Sequence, residues 1–325
     1  MKTGLFAIAL VFSVSVTAGF TASGVDPSTP DPVIAAAGDI ACSASDPDFN
    51  EGRGSPDFCA QGRTSDLLVQ GDYDAILALG DLQYGSSSLP EFLESYDPSW
   101  GRVKSITHPV PGNHENGTEG SAGYFDYFNG VDILTGPAGE RGKGYYSFDL
   151  GEWHLIALNS NCGGAGVDGG CGSDSPQVEW LRADLEENSD ARCTLAFWHI
   201  PRYSSSRPGK EPLRSFWRAL YEYDADLILN GHSHAYERFQ PSDPDGLVDG
   251  ERGIHQFIVG TGGRNHKELE SNLLPNSVVY NNTTFGVLRL ALHSTSYDWQ
   301  FVPEANAPVE DGGAVFSDSG SADCH

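Results

Sequence analysis

Nine apolar runs recur along the chain: VIAAAG (33–38), AILALG (75–80), YYSFDL (145–150), WHLIALN (153–159), CTLAFWHI (193–200), DLILNG (226–231), HQFIVG (255–260), FGVLRLAL (285–292) and YDWQFV (297–302). Short continuous apolar runs bounded by Gly, Asp or Asn are the pattern of strands buried on both faces. Between some of them the period changes to that of a helix. Ser175 is placed as an N-cap with Pro176 at the first helical position, and Val178, Leu181 and Leu185 follow at helical spacing. A second helix is expected from about Glu211 to Tyr223, with Leu213, Phe216, Trp217 and Leu220 as its apolar face. Strand and helix alternate through the first two thirds, and strands dominate afterwards. That order predicts an α/β layered sandwich with a more antiparallel end.

The start of the chain has a different character. Lys2 precedes an apolar run from Gly4 to Ala18, closed by the small residues Val16-Thr17-Ala18. This reads as a secretory signal, because the run is too short and wrongly flanked for a membrane span. Cleavage is expected after Ala18, or alternatively after Ala22, so residues 1–22 are assigned to the signal and SGVDPSTPDP (23–32) to a linker. One large domain, 33–325, then remains, since no later composition break of that kind appears. The first cysteine, Cys42, lies too far along for lipid attachment at a cleaved N-terminus, and no membrane anchor is expected.

Charge and cysteines narrow the picture further. The formal net charge is −26 and only five lysines are present, which disfavours nucleic acid as a partner because gripping a polyphosphate needs clustered cations. Six cysteines in an exported chain suggest up to three disulfides. Cys42 with Cys59 and Cys162 with Cys171 would each close a short loop, leaving Cys193 for Cys324, although six cysteines permit about fifteen connectivities. No CxxC-type pair marks a zinc site. The location implied is secreted, or periplasmic or cell-surface according to the host.

The polar residues that close the apolar runs carry the chemistry. Asp39 follows VIAAAG, Asp81 follows AILALG, Asn113 and His114 follow the turn expected at THPVPG, His199 closes CTLAFWHI, and His232 and His234 follow DLILNG. In open α/β sheets ligands bind beyond the carboxyl ends of strands, so five segments deliver a carboxylate, amide or imidazole to one edge. In four of the five segments Gly stands directly before the first polar residue, allowing sharp turns and close backbone approach.

The ordered set GD (38–39), GDLQY (80–84), GNHE (112–115), WH (198–199) and GHSH (231–234) resembles the calcineurin-like metallophosphoesterases, and more closely their purple acid phosphatase branch. The resemblance runs from about Val33 to Trp299 and is to a bacterial-type, secreted form without an N-terminal accessory domain. It implies a four-layer α-β-β-α sandwich, with two mixed β-sheets flanked by helices, as the catalytic domain. It also implies a two-metal site: Asp39, Asp81, Tyr84 and His234 around one ion, Asn113, His199 and His232 around the other, with Asp81 bridging. Many relatives carry a histidine where this chain has Ala41, whereas Tyr84 matches the tyrosine that ligates iron in the purple branch. A phenolate favours a hard ferric ion, so the pair expected is Fe with Zn, Mn or a second Fe.

The resemblance further implies hydrolysis of a small phosphomonoester by in-line attack of a metal-bridging hydroxide. A phosphodiesterase or nucleotidase with the same metals, and an inactive metal-binding surface protein, are the alternatives. His114 is the candidate for contacting phosphoryl oxygens and assisting the leaving group. Plant members carry histidines in the loop after the His199 position. Here the loop reads IPRYSSSRPGK, and Arg202, or else Arg207, is the candidate for binding substrate phosphate. GTGGR (260–264) lacks the Walker spacing and reads as a turn near the site. Glu237 and Arg238 are expected to pair with each other or with neighbours, and His108 and His154 to serve local structure. Asn116, Asn281 and Asn282 lie in glycosylation sequons.

Overall fold

The computed structural model describes residues 1, 30–163, 167–207, 209–269, 272–310 and 313–325. Residues 2–22 of the expected signal and 23–29 of the expected linker lie outside the described residues. Contacts divide the chain into Met1–Pro30 and Asp31–His325, and the sandwich belongs to the second unit.

Two mixed sheets face each other. The first runs, in spatial order, Ser319–Asp323, Ser296–Pro303, Gly286–Leu292, Val33–Ala37, Ala75–Ala78 and Thr107–Pro109. Its last three strands are parallel and the others antiparallel. The second runs Ser277–Asn281, Tyr236–Phe239, His255–Val259, Leu227–Asn230, Cys193–Phe197, Trp153–Ala157 and Tyr146–Leu150. Its four central strands are parallel and its flanks antiparallel.

Alternation along the second sheet shows how the layers form. Leu155, Leu195, Phe197, Leu227 and Leu229 join the core shared with the first sheet. Their neighbours Ile156, Ala196, Trp198 and Ile228 pack instead with Val178, Leu181, Phe216, Trp217 and Leu220 of the helices Pro176–Glu187 and Arg214–Glu222. Side chains of a strand alternate between faces, so each strand contributes to two layers at once. On the far side of the first sheet lie the helix Gln61–Gln70 and the aromatic-rich helical segments through Trp100 and Ala122–Phe128. The expected four-layer sandwich is therefore the observed fold.

Local signals behave as their chemistry predicts. Ser175 Oγ accepts the Val178 N–H at 3.3 Å, with Pro176 in the first turn. The helix expected from Glu211 begins as a single tight turn, Glu211–Leu213, before the regular helix. THPVPG corrects the expectation of a simple turn: Thr107–Pro109 is a parallel strand in register with Ile76–Ala78. Three residues interrupted by proline are too few to show a strand period. The three disulfides are Cys42–Cys59, Cys162–Cys171 and Cys193–Cys324, the pairing that loop closure and elimination suggested. The last joins a central strand of the second sheet to the residue after the edge strand of the first.

Glu237 and Arg238 do not pair with each other, because successive strand residues point to opposite faces. Arg238 grips Asp318 through two bonds, at 2.7 and 3.1 Å, while Glu237 accepts from the Ser205 backbone at 3.0 Å. His154 is buried between Asp149 and Asp184, with ring nitrogens at 2.8 and 2.9 Å from their carboxylates. Burial alone would lower its pKa, but the bonds to Asp184 and Asp149 outweigh it and hold the imidazolium above the ordinary value of 6.5. A raised folded pKa adds stability that is complete below that ordinary value and fades as pH climbs through the raised one. Denaturation midpoints of the wild type and His154→Gln should thus differ widely at a pH of about 5.5 and converge at about 8.5; an equal gap at both would refute the charged assignment.

Candidate metal centre

The parallel strands that carry the expected donors all end on the same side. Asp39 follows Val33–Ala37 and Asp81 follows Ala75–Ala78 in the first sheet, with Asn113 and His114 beyond Thr107–Pro109. From the second sheet come His199 after Cys193–Phe197, and His232 and His234 after Leu227–Asn230. The glycines before them are needed for contact between the two sets. A Cβ on Gly80, whose φ is +82°, would stand 2.6 Å from the His199 Cβ, and one on Gly231 would stand 2.9 Å from Asp39 Oδ2. The functional residues themselves also take left-handed backbone: φ is 58° at Asp39, 47° at Asp81, 73° at His232 and 47° at His234. For non-glycine residues this costs on the order of 1 kcal/mol each, and such strain concentrates at working sites.

Two groups of donor atoms result, sharing Asp81. In the first, the Tyr84 hydroxyl lies 2.9 Å from Asp39 Oδ1, 3.2 Å from Asp81 Oδ2 and 3.0 Å from His234 Nε2. In the second, His199 Nε2 lies 3.2 Å from Asp81 Oδ2 and 3.2 Å from His232 Nδ1. One atom from each of Asp81, His199 and His232 falls within 4.8 Å of the others. Asn113 is exposed, between Gly112 and His114, whose backbone N–H donates to Asp81 Oδ1 at 2.8 Å. Six of the seven expected ligands are thus joined by direct contacts, and the seventh is adjacent through the backbone.

Carbonyl groups orient the imidazoles. His199 Nδ1–H donates to Leu79 O and His234 Nδ1–H to Asn265 O, both at 2.9 Å, which leaves each Nε2 facing the cluster. No motif in the chain signals these backbone acceptors. Glu115 is another contributor from outside the expected set. Fully buried, it accepts N–H bonds from Leu82 at 3.0 Å, Gln83 at 3.2 Å and Gly112 at 2.6 Å, tying the Asp81 loop to the Asn113 loop.

Opposite charges within the cluster offset one another. Burial would raise the Asp39 and Asp81 carboxyls, but the neighbouring histidines, His234 for the first and His199 for the second, hold both below the usual carboxylate range. Burial works against a charged His199, yet Asp81 lifts it to about 9. His232 goes the other way, to about 3, through burial and the charge of His199. Burial and the two aspartates push the Tyr84 phenol well above its ordinary value. Two carboxylates, a phenol, three inward imidazoles and a nearby amide, packed this densely, are a donor set that fits two hard or borderline cations.

The arginines divide differently from expectation. Arg202, the first choice for substrate, turns to Glu211 at 2.9 Å and stacks on the Tyr203 ring. Arg207 instead reaches the cluster, its Nη1 3.5 Å from His232 Nε2. Its loop is fastened there by Ser204, whose hydroxyl lies 2.8 Å from that of Ser233.

The family model described as calcineurin-like phosphoesterase matches residues 33–236, more than half of the chain and all of the donor residues. The chain belongs to the calcineurin-like phosphoesterase family. Within that family of dimetal phosphoesterases it falls in the purple acid phosphatase-like branch. It is 29% identical over 238 residues to purple acid phosphatase 15 of Arabidopsis thaliana, covering 62% of this chain and 42% of that protein. It is 32% identical over 209 residues to purple acid phosphatase 23 of the same plant, covering 54% and 44%. The chain spans less than half the length of these two curated relatives. Among solved structures, the purple acid phosphatase PPD1 from yellow lupin seeds superposes with a TM-score of 0.66 at 21% identity, covering 89% of this chain and 53% of that one, a likeness of fold.

For this family member, Glu115→Gln would turn an amide N–H toward backbone donors. The expected loss of unfolding free energy is about 1–3 kcal/mol, measured in urea, together with weaker metal retention on dialysis.

Proposed function

We propose that this protein is a secreted dimetal phosphatase that hydrolyses phosphomonoesters. The observation carrying the reading is the position of Asp81 Oδ2, 3.2 Å from both the Tyr84 hydroxyl and His199 Nε2, so that one carboxylate serves two donor groups. Asp39, Tyr84 and His234 would complete the site of a ferric ion, and Asn113, His199 and His232 that of Zn, Mn or a second Fe. Two such cations supply the charge that activates water and neutralises phosphoryl oxygens during in-line displacement at phosphorus.

The chain's own residues do the rest. His114 packs its ring against Tyr84, with centroids 4.3 Å apart, and its Nε2 stands 3.9 Å from Asp81 Oδ2. With its side chain 38% exposed, it borders the cluster on the solvent side, where an imidazole can hold a proton for the departing oxygen. Arg207 offers a second cationic donor to the phosphate from the His232 side. The signal-like residues 1–22 and three disulfides support export to an oxidising compartment, with 33–325 as the catalytic domain. Among the described residues no helix is long and apolar enough to cross a membrane.

The test is metal analysis of the purified protein, with turnover of a chromogenic phosphate monoester compared with its diester. The monoester should be preferred; a diester preference would move the reading to a phosphodiesterase, and no turnover of either to the inactive alternative. Asp81→Ala should lose metal and turnover together, and full activity in that variant would overturn the shared-carboxylate site. His114→Ala should lower kcat by about 10²–10⁴-fold at unchanged metal content. Arg207→Gln should raise KM by about tenfold with little change in kcat, as loss of a charged hydrogen bond to substrate predicts.

A further inference from the structure

Arg264 closes the GTGGR segment and has no part in the two donor groups. Its backbone is built into the site: the N–H donates to Asp39 O at 2.8 Å, and the carbonyl accepts the Cys59 N–H at 3.1 Å. Its guanidinium lies over the Tyr84 ring, 5.2 Å from the centroid. The same group is fixed from behind, Nη1 standing 3.2 Å from Asp46 Oδ2 and donating to Cys42 Sγ at 3.2 Å. Cys42 and Cys59 are joined to each other, so one disulfide braces both the side chain and the backbone of Arg264. The side chain is only 25% exposed, so water around the guanidinium is partly excluded.

We infer that Arg264 is an electrostatic positioning residue that acts through Tyr84, setting how strongly the phenol oxygen gives electron density to an ion beside it. The inference rests on the reading of Tyr84 as a ligand. A cation on the face of an aromatic ring stabilises the ring's filled π orbitals, and more so where water is partly excluded. A phenolate stabilised in this way is a weaker donor, and the energy needed to move an electron from it to a ferric ion is higher. The charge of the guanidinium matters here, and its shape does not. An arginine merely packed on a convenient ring would show no such dependence on charge.

The visible charge-transfer band of the iron-loaded protein reads this directly. Arg264→Gln should move the band to longer wavelength by roughly tens of nanometres at unchanged iron content, while Arg264→Lys, which keeps the cation, should leave it near the wild-type position. A band unmoved in Arg264→Gln, or moved equally in both variants, overturns the inference while leaving Tyr84 ligation standing. Iron lost from both variants marks a merely structural residue and also overturns it. A wild-type protein that holds iron without such a band, and is spectrally unchanged by Tyr84→Phe, removes Tyr84 as ligand and Arg264's role with it.

Discussion

Two buried carboxylates, Asp39 and Asp81, are held so close that the Tyr84 hydroxyl contacts both. Like charges in a dry interior repel strongly, and the hydrogen bonds received from the same sheet, from the Tyr84 hydroxyl and the His114 N–H, relieve only part of that repulsion. The rest of the relief comes from across the molecule, in the imidazoles of His199 and His234 and the backbone N–H of His232 on the opposing sheet. The two sheets must therefore meet in one relative placement, and every loop on that edge is shaped by it.

The shaping has a local cost that the core offsets. Four donor residues sit in left-handed backbone although none is glycine, and tight contacts at Gly80 and Gly231 leave no room for a Cβ. Such loops would relax if the strands beneath them could shift. They cannot, because Ile34, Leu77, Leu195 and Leu229 at their bases are fully buried in one shared core. Rigid scaffold and strained rim are two parts of one arrangement, and the lupin purple acid phosphatase shares the sandwich beneath it.

The sequence was most legible where burial is complete. VIAAA, AILA, CTLAF and LILN are apolar almost without interruption because both faces are covered, and the polar residue that ends each run is therefore conspicuous. The strands Ser277–Asn281 and Ser319–Asp323 left no such trace, since they lie at sheet edges, the first half-buried and the second largely exposed, and SGSAD has no apolar period to read. Which arginine of the serine-rich loop reaches the cluster was not readable, because the loop's course depends on bonds such as Ser204–Ser233 that link distant segments. Arg264 and Asn265 were hidden for the same reason: their contributions pass through a ring face and a carbonyl, which no motif records.

The Cys193–Cys324 bond begins the very strand whose far end leads to His199, roughly 20 Å away at the usual rise per residue. One partner belongs to the second sheet and the other adjoins the first. The interlayer gap is consequently clasped at its floor by a covalent link and at its rim by the carboxylate–imidazole contacts. Splaying of the layers, the motion that would widen the aperture between donors, has to work against both. A chain that folds with these thiols still reduced would keep the same rim residues but lose the lower clasp, leaving the carboxylate–imidazole contacts alone to hold the layers together at that site.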